Sequence, residues 1–254
     1  MTIAATRFRL ERPPVRSVTL TIRFEASPRL QGWHLEGFFR KVSSHYLARE
    51  EVAPRPAVEA AGYEFIPPED AWPIPRTECI GEDRSLSVQG DELEVVWNFG
   101  DRDEGREYPG FDSLMKGMED HLYDLISSVS DHDVTIAPRE VECFYENAIE
   151  EITASELAVG VLTGWADTSS KSVPQQGYVG VRLASVGKPR GQSCSSLVMV
   201  DSGDDQPPRL AIRVGRLLES GERAEDAMRQ AHDELISLFR THTSEQLRSG
   251  WGEL

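Results

Sequence analysis

Val18-Thr19-Leu20-Thr21-Ile22-Arg23-Phe24 alternates without a break. Val18, Leu20, Ile22 and Phe24 fall on one side and Thr19, Thr21 and Arg23 on the other. This is the period of a strand that buries one face. Pro28 ends it. Leu35, Phe38, Phe39, Val42 and Tyr46 then share one helical face. A strand followed by a helix is the unit from which the rest is read.

Glu50 to Pro75 holds Pro54, Pro56, Pro67, Pro68, Pro73 and Pro75. Proline fixes φ and removes a donor, so this stretch reads as an irregular connection with one short strand, Tyr63 to Ile66. Leu86 and Val88, then Leu93, Val95, Trp97 and Phe99, alternate around Gln89-Gly90-Asp91, the pattern of a hairpin. Gly100 to Glu107 is polar and reads as a loop. From Pro109 a second helix is expected. Phe111, Leu114, Met115, Met118, Leu122, Leu125, Ile126 and Val129 form its buried stripe, and Asp112, Glu119, Asp120 and Asp124 its wet side.

Beyond Pro138 the alternation returns. Val141, Cys143 and Tyr145 predict a strand, as do Leu157, Val159, Val161, Thr163 and Trp165. Val179 to Leu183, Leu197 to Val200 and Leu210 to Val214 follow, joined by links too short for crossover helices. Ala224, Ala227, Met228, Ala231, Leu235, Leu238 and Phe239 predict a long helix. Thr243-Ser244-Glu245-Gln246 resembles a capping box opening a short last helix, with Leu247 and Trp251 tucked back. The sum is an α+β fold: a largely antiparallel sheet of about eight strands, covered on one face by three main helices. Residues 1–254 read as one unit, with pseudo-halves 15–138 and 139–254. The order fits a degenerate duplication whose second half lacks the helix after its first strand.

The net charge is −16, and it is uneven. Residues 101–156 carry 16 acids and 4 bases, net −12. Such a segment is a solvated face or a docking surface for a basic protein partner, with Glu119, Asp120 and Asp124 as its contact residues. The same sign argues against non-specific nucleic-acid binding. Six arginines among the first 29 residues form the exception, an arm able to meet the acidic segment of a second copy. No apolar run reaches the roughly 18–20 residues of a membrane span. Cys79, Cys143 and Cys194 are isolated, without Cys-x-x-Cys spacing, which points to a reducing cytoplasm.

Catalytic motifs are scarce. Neither a nucleotide-binding glycine loop nor a Gly-x-Ser-x-Gly elbow is present. Cys194 reads as a small apolar residue at a strand start rather than a nucleophile. His121, Asp131, His132 and Asp133 are the best metal candidates, but their spacing fits no ligand set, so neither metal nor cofactor is implied. Asp201 to Asp205 reads as a hairpin turn, and Asp101, Asp103, Glu104 and Glu107 as carboxylates on an exposed loop. Trp97, Tyr108, Tyr145 and Asn147 cluster polar and aromatic groups near the best strands and are the candidate ligand-binding residues.

Val96-Trp97-Asn98-Phe99 followed by Tyr108-Pro109-x-Phe111 resembles a sporadically distributed family of uncharacterised bacterial and archaeal proteins of about 250 residues. The Pro-Pro-Val opening at Val15, the strand Glu142-x-x-Tyr145-x-Asn147-x-Ile149 and the tail Thr243-x-Glu245…Trp251-Gly252 are similar to the same family. That family often carries His where this chain has Ala148, so a role for that histidine does not transfer. The resemblance implies no reaction. Its patchy distribution implies a defence or toxin–antitoxin-like setting. The sequence therefore favours a non-enzymatic interaction protein over a small-ligand-binding protein or enzyme with a pocket between sheet and helices.

Overall fold

The computed structural model describes residues 8–25, 27, 29–53, 74–100, 107–165, 178–187, 194–202 and 207–254. Its first half runs β1 (Val15–Phe24), α1 (Glu36–Val42), β2 (Ala48–Val52), β3 (Arg76–Ile80), β4 (Arg84–Gln89), β5 (Glu92–Asn98) and α2 (Phe111–Ser130). The second runs β6 (Pro138–Ala148), α3 (Ala154–Thr163), β7 (Val179–Gly187), β8 (Cys194–Ser202), β9 (Arg209–Leu217), α4 (Ala224–His242) and α5 (Glu245–Gly250).

The nine strands among the described residues form one antiparallel sheet in the order β2-β3-β4-β5-β1-β6-β9-β8-β7. The order is a repeat. In each half the first strand pairs with the last, β1 with β5 and β6 with β9, and a long helix follows. The halves meet where β1 pairs with β6, from Val15 opposite Asn147 to Phe24 opposite Pro138.

The repeat is more complete than the sequence suggests. Residues 157–165, read as a strand, are mostly α3, so the second half does have the helix after its first strand. Leu157, Val159 and Val161 alternate, but the helix is apolar almost all round, and such a segment satisfies both periods. Its ends decide. The Thr153 hydroxyl accepts from the Glu156 amide and the Glu156 carboxylate accepts from the Thr153 amide, a capping box. Gly164 closes the helix at φ 62°, where glycine carries no steric penalty. β2 and β3 also went unseen, because Arg49, Glu50, Glu51, Arg76 and Glu78 hide the alternation. The strand expected at Tyr63–Ile66 lies outside the described residues, as do Asp101, Asp103, Glu104, Asp204 and Asp205. α2 starts at Phe111 rather than Pro109, since Gly110 precedes it at φ 89°.

The register sorts the side chains. Trp97, Val18, Tyr145 and Ile212 lie in one row across β5, β1, β6 and β9; Val95, Leu20, Cys143 and Val214 lie in the next. The helices cover this apolar face: Met115, Met118, Leu122, Met228, Ala231, Leu235 and Phe239 are buried against it. The tail is clamped as well. The Trp251 ring is buried, its Nε1 donates to Glu151 at 2.8 Å, and the Leu254 amide donates to the Arg9 carbonyl. Among the described residues no helix is long and apolar enough to cross a membrane.

The opposite face is a lattice of ions. Arg23 on β1 reaches Glu92 of β5 at 3.1 Å and Glu140 and Glu142 of β6 at 3.2 and 3.4 Å. Arg76 on β3, only 3% exposed, reaches Glu78, Glu92 and Glu94. A buried cation removed from such a set leaves three largely buried carboxylates with much less counter-charge, which costs far more than a surface pair. Replacing Arg23→Ala is expected to lower the unfolding free energy by about 3 kcal/mol or more in urea titration at neutral pH. Arg229→Ala, on the exposed side of α4, should cost less than about 1 kcal/mol.

Candidate functional site

The four aromatic and amide positions singled out by the sequence lie near the junction of the halves, where Tyr108 and Tyr145 touch and Trp97 stands across one strand from them. Trp97 projects from β5 and Tyr145 from β6, with Val18 of β1 between them in register. Tyr108 arrives from the segment before α2. Its hydroxyl lies 2.8 Å from that of Tyr145, with either able to donate. Phe99 meets the Tyr108 ring edge-on at 5.5 Å. Asn147 stands one step further along β6, almost fully buried, and its amide donates to the Leu210 carbonyl at 3.0 Å.

Sequence reasoning missed His232. It lies on the buried side of α4 and stacks on Phe111 at 3.8 Å between ring centroids, almost parallel, with Tyr145 at 5.8 Å. Its place four residues after Met228 and one after Ala231 on the apolar stripe was the available signal. Phe99, Tyr108, Phe111, Tyr145 and His232 thus join the start of α2, the sheet and α4. Burial raises both phenols above the usual tyrosine range, and each tyrosine hydroxyl partners the other. They are protonated at neutral pH and suit a neutral hydrogen-bonding group, not a general base. The Cys143 thiol, in the next row, is pushed well up by burial, and that of Cys194, at the first position of β8, is raised by burial too. Neither is a ready thiolate.

Among the described residues the acidic segment does not form one patch. β6 sends Glu140, Glu142 and Glu146 to the ion lattice, where Arg23, Arg213 and Arg209 meet them. Glu119, Asp120 and Asp124 lie on the outer side of α2, each with a cation: Arg229 at 3.4 Å, Lys116 at 3.2 Å and Lys41 at 3.3 Å. Among them Tyr123 is 73% exposed. The basic arm is used locally: Arg12 donates to the Gly250 carbonyl, and Arg16 to the Gly100 carbonyl and to Glu150.

The histidines offered as metal ligands are apart. His121 faces the Tyr46 hydroxyl at 3.4 Å, whereas His132, beyond the helix end, packs with Trp33 and His34 at 5.0 and 5.2 Å. Among the described residues no three His, Cys, Asp or Glu side chains converge as a metal site. A surface hollow of about 410 Å³ lies elsewhere, lined by Asp233, Ile236, Ser237, Arg240, Thr241 and Arg248 on α4 and α5.

No protein-family model matches the chain, and no curated protein matches it. Among solved structures it is similar to the crystal structure of the di-domain ARO/CYC StfQ from the steffimycin biosynthetic pathway. That match has 10% identity over 92% of this chain and 97% of that one, with a TM-score of 0.24. Backbones that superpose so loosely carry no argument about what this chain does.

The histidines give a pH signature. Burial lowers the affinity of His121 for a proton, with Arg84 adding to it; burial also lowers that of His34, with His132 adding, and that of His242. The folded state therefore binds fewer protons than the unfolded chain, whose histidines titrate near 6.5. The histidine contribution to stability is full above that value and is lost as pH falls below it toward the lower folded-state values. The urea midpoint should drop between about pH 7 and pH 5, and His121→Gln should shrink the drop. Glu92, whose carboxyl is pushed up by burial, works in the opposite sense at the acid end, so the difference between the two proteins is the quantity to measure.

Proposed function

We propose that the protein is a non-enzymatic interaction protein that binds a basic protein partner through the outer face of α2. The observation that carries this reading is Tyr123, a large exposed aromatic set among Glu119, Asp120 and Asp124. Aromatic residues ringed by polar groups are what binding hot spots are made of. The ion pairs that these acids make with Lys41, Lys116 and Arg229 are on the surface and weak, so a partner's cations can replace them at small cost. The field points the same way along the helix. The last turn of α2 has no basic residue, and the exposed Asp131 and Asp133 add to the negative end of its dipole. A place in a bacterial defence or toxin–antitoxin-like module would supply such a partner and follows from the family resemblance alone.

The alternative is a small-ligand site or enzyme pocket at Trp97, Tyr108, Tyr145 and Asn147. The paired tyrosine hydroxyls favour it, being polar groups in an apolar layer. Against it, the two tyrosine hydroxyls and the Asn147 amide already have partners that a ligand must displace.

Affinity capture from the cells that make the protein, with the captured chain identified and rebound in purified form, separates the readings. Tyr123→Ala and the triple reversal Glu119→Lys, Asp120→Lys, Asp124→Lys should each weaken rebinding by about tenfold or more, and added salt should weaken it too. Rebinding indifferent to both changes and to salt sinks this proposal.

A further inference from the structure

The two ends of the sheet differ in a way the repeat does not require. At one end β3 is flanked by β2, whose sequence Ala48-Arg49-Glu50-Glu51-Val52 is almost wholly exposed and rich in charge. Short, charged outer strands are how sheets discourage pairing with other chains. At the other end the strand in the place of β3 is β7. Among the described residues nothing pairs with its outer edge, although it is nine residues long and has Arg182 as its one charge.

The helix beside this edge differs from its counterpart in the same sense. α1 turns Glu36, Arg40 and Lys41 to solvent. α3 packs over β7 and β8 and carries Glu156 as its one charge, yet it leaves Val159 37% and Leu162 60% exposed. Tyr178, just before β7, is 67% exposed. A helix apolar on every side is normally covered on every side. Among the described residues an open strand edge and an uncovered apolar helix face thus lie together at one end of the sheet.

We propose that this end is a homodimer interface, with β7 pairing antiparallel to β7 of a second copy and the two α3 helices flanking the joint. The proposal goes beyond the reading of α2 and uses a different surface. Charge selects the occupant. Two chains of net charge −16 repel, so they can meet only where charge is sparse. Across α3 and β7 the charged residues are Glu156 and Arg182, which cancel. A two-fold axis generates the antiparallel pairing that the sheet already uses. An axis at Leu183 sets Arg182 opposite Ala184 of the second copy and Val181 opposite Ser185, so no like charges face each other. A nine-residue strand is about 30 Å long. With one helix layer it presents roughly 600 Å² before side-chain relief, on the scale of the roughly 800 Å² per partner in a standard interface.

The test is sedimentation or light scattering of the full chain, wild type against Leu162→Lys with Ala184→Lys. Both positions are exposed, so the fold should survive, and lysine on a strand edge opposes pairing. The wild type is expected to be dimeric, and the double variant to dissociate at least tenfold more readily with unchanged circular dichroism. Hydrogen exchange on the wild type gives a second reading that needs no variant: β7 amides should slow as concentration rises. A wild type monomeric at roughly 100 μM, or a dimer that the substitutions leave intact, overturns the proposal. So do β7 amides protected equally at all concentrations, or protected only when a different protein is added.

Discussion

The structure hangs on the seam between β1 and β6. Every other strand reaches the sheet's centre through one of these two. On the helix side the seam joins Val18, Leu20 and Ile22 to Tyr145, Cys143 and Val141; on the other it joins Thr21 and Arg23 to Glu142 and Glu140. A slip of one residue would send Arg23 into the apolar layer and Ile22 onto the ions. Hydrophobic burial and ion pairing therefore enforce the same register from opposite faces. The ions do not need to add much net stability to serve this end; a wrong register leaves buried charges bare.

The strands next to the seam were legible because one face of each is uniformly apolar. Val18 to Phe24, Leu93 to Phe99 and Leu210 to Val214 show it, and so do the stripes of α2 and α4. Legibility failed where both faces share a character. In β3 the core side holds Thr77 and Cys79 and the far side Arg76 and Glu78, so polarity hardly alternates. In α3 both sides are apolar, and only the caps at Thr153 and Gly164 separate helix from strand. Reading Thr153-x-x-Glu156 with Gly164 would have restored the helix and, with it, the symmetry of the two halves.

The candidate sites were legible one residue at a time and not as assemblies. Alternation puts Trp97, Tyr145 and Asn147 on the core side, but the meeting of Tyr108 with Tyr145, and of Phe111 with His232, joins elements distant in sequence. The acidic segment shows the converse. The acids of α2 and those of β6 are close together in sequence but parted by geometry, because the helix and the strand turn them toward different faces. Local charge density along a chain is a poor guide to a surface field when the chain crosses from α2 to β6 within it.

The tail clamp bears on how such a chain can be rewired. The Leu254 amide rests on the Arg9 carbonyl, and Arg12 holds the Gly250 carbonyl. The two ends of the described chain are thus neighbours, a short linker apart, and the two halves follow one plan. Circular permutation is the natural operation on this molecule. A gene that joined these ends and began in the turn after α2, between Asp131 and Ala137, would encode the halves in reverse order and keep the same contacts. The topology fixes what touches what and leaves open which half the ribosome makes first.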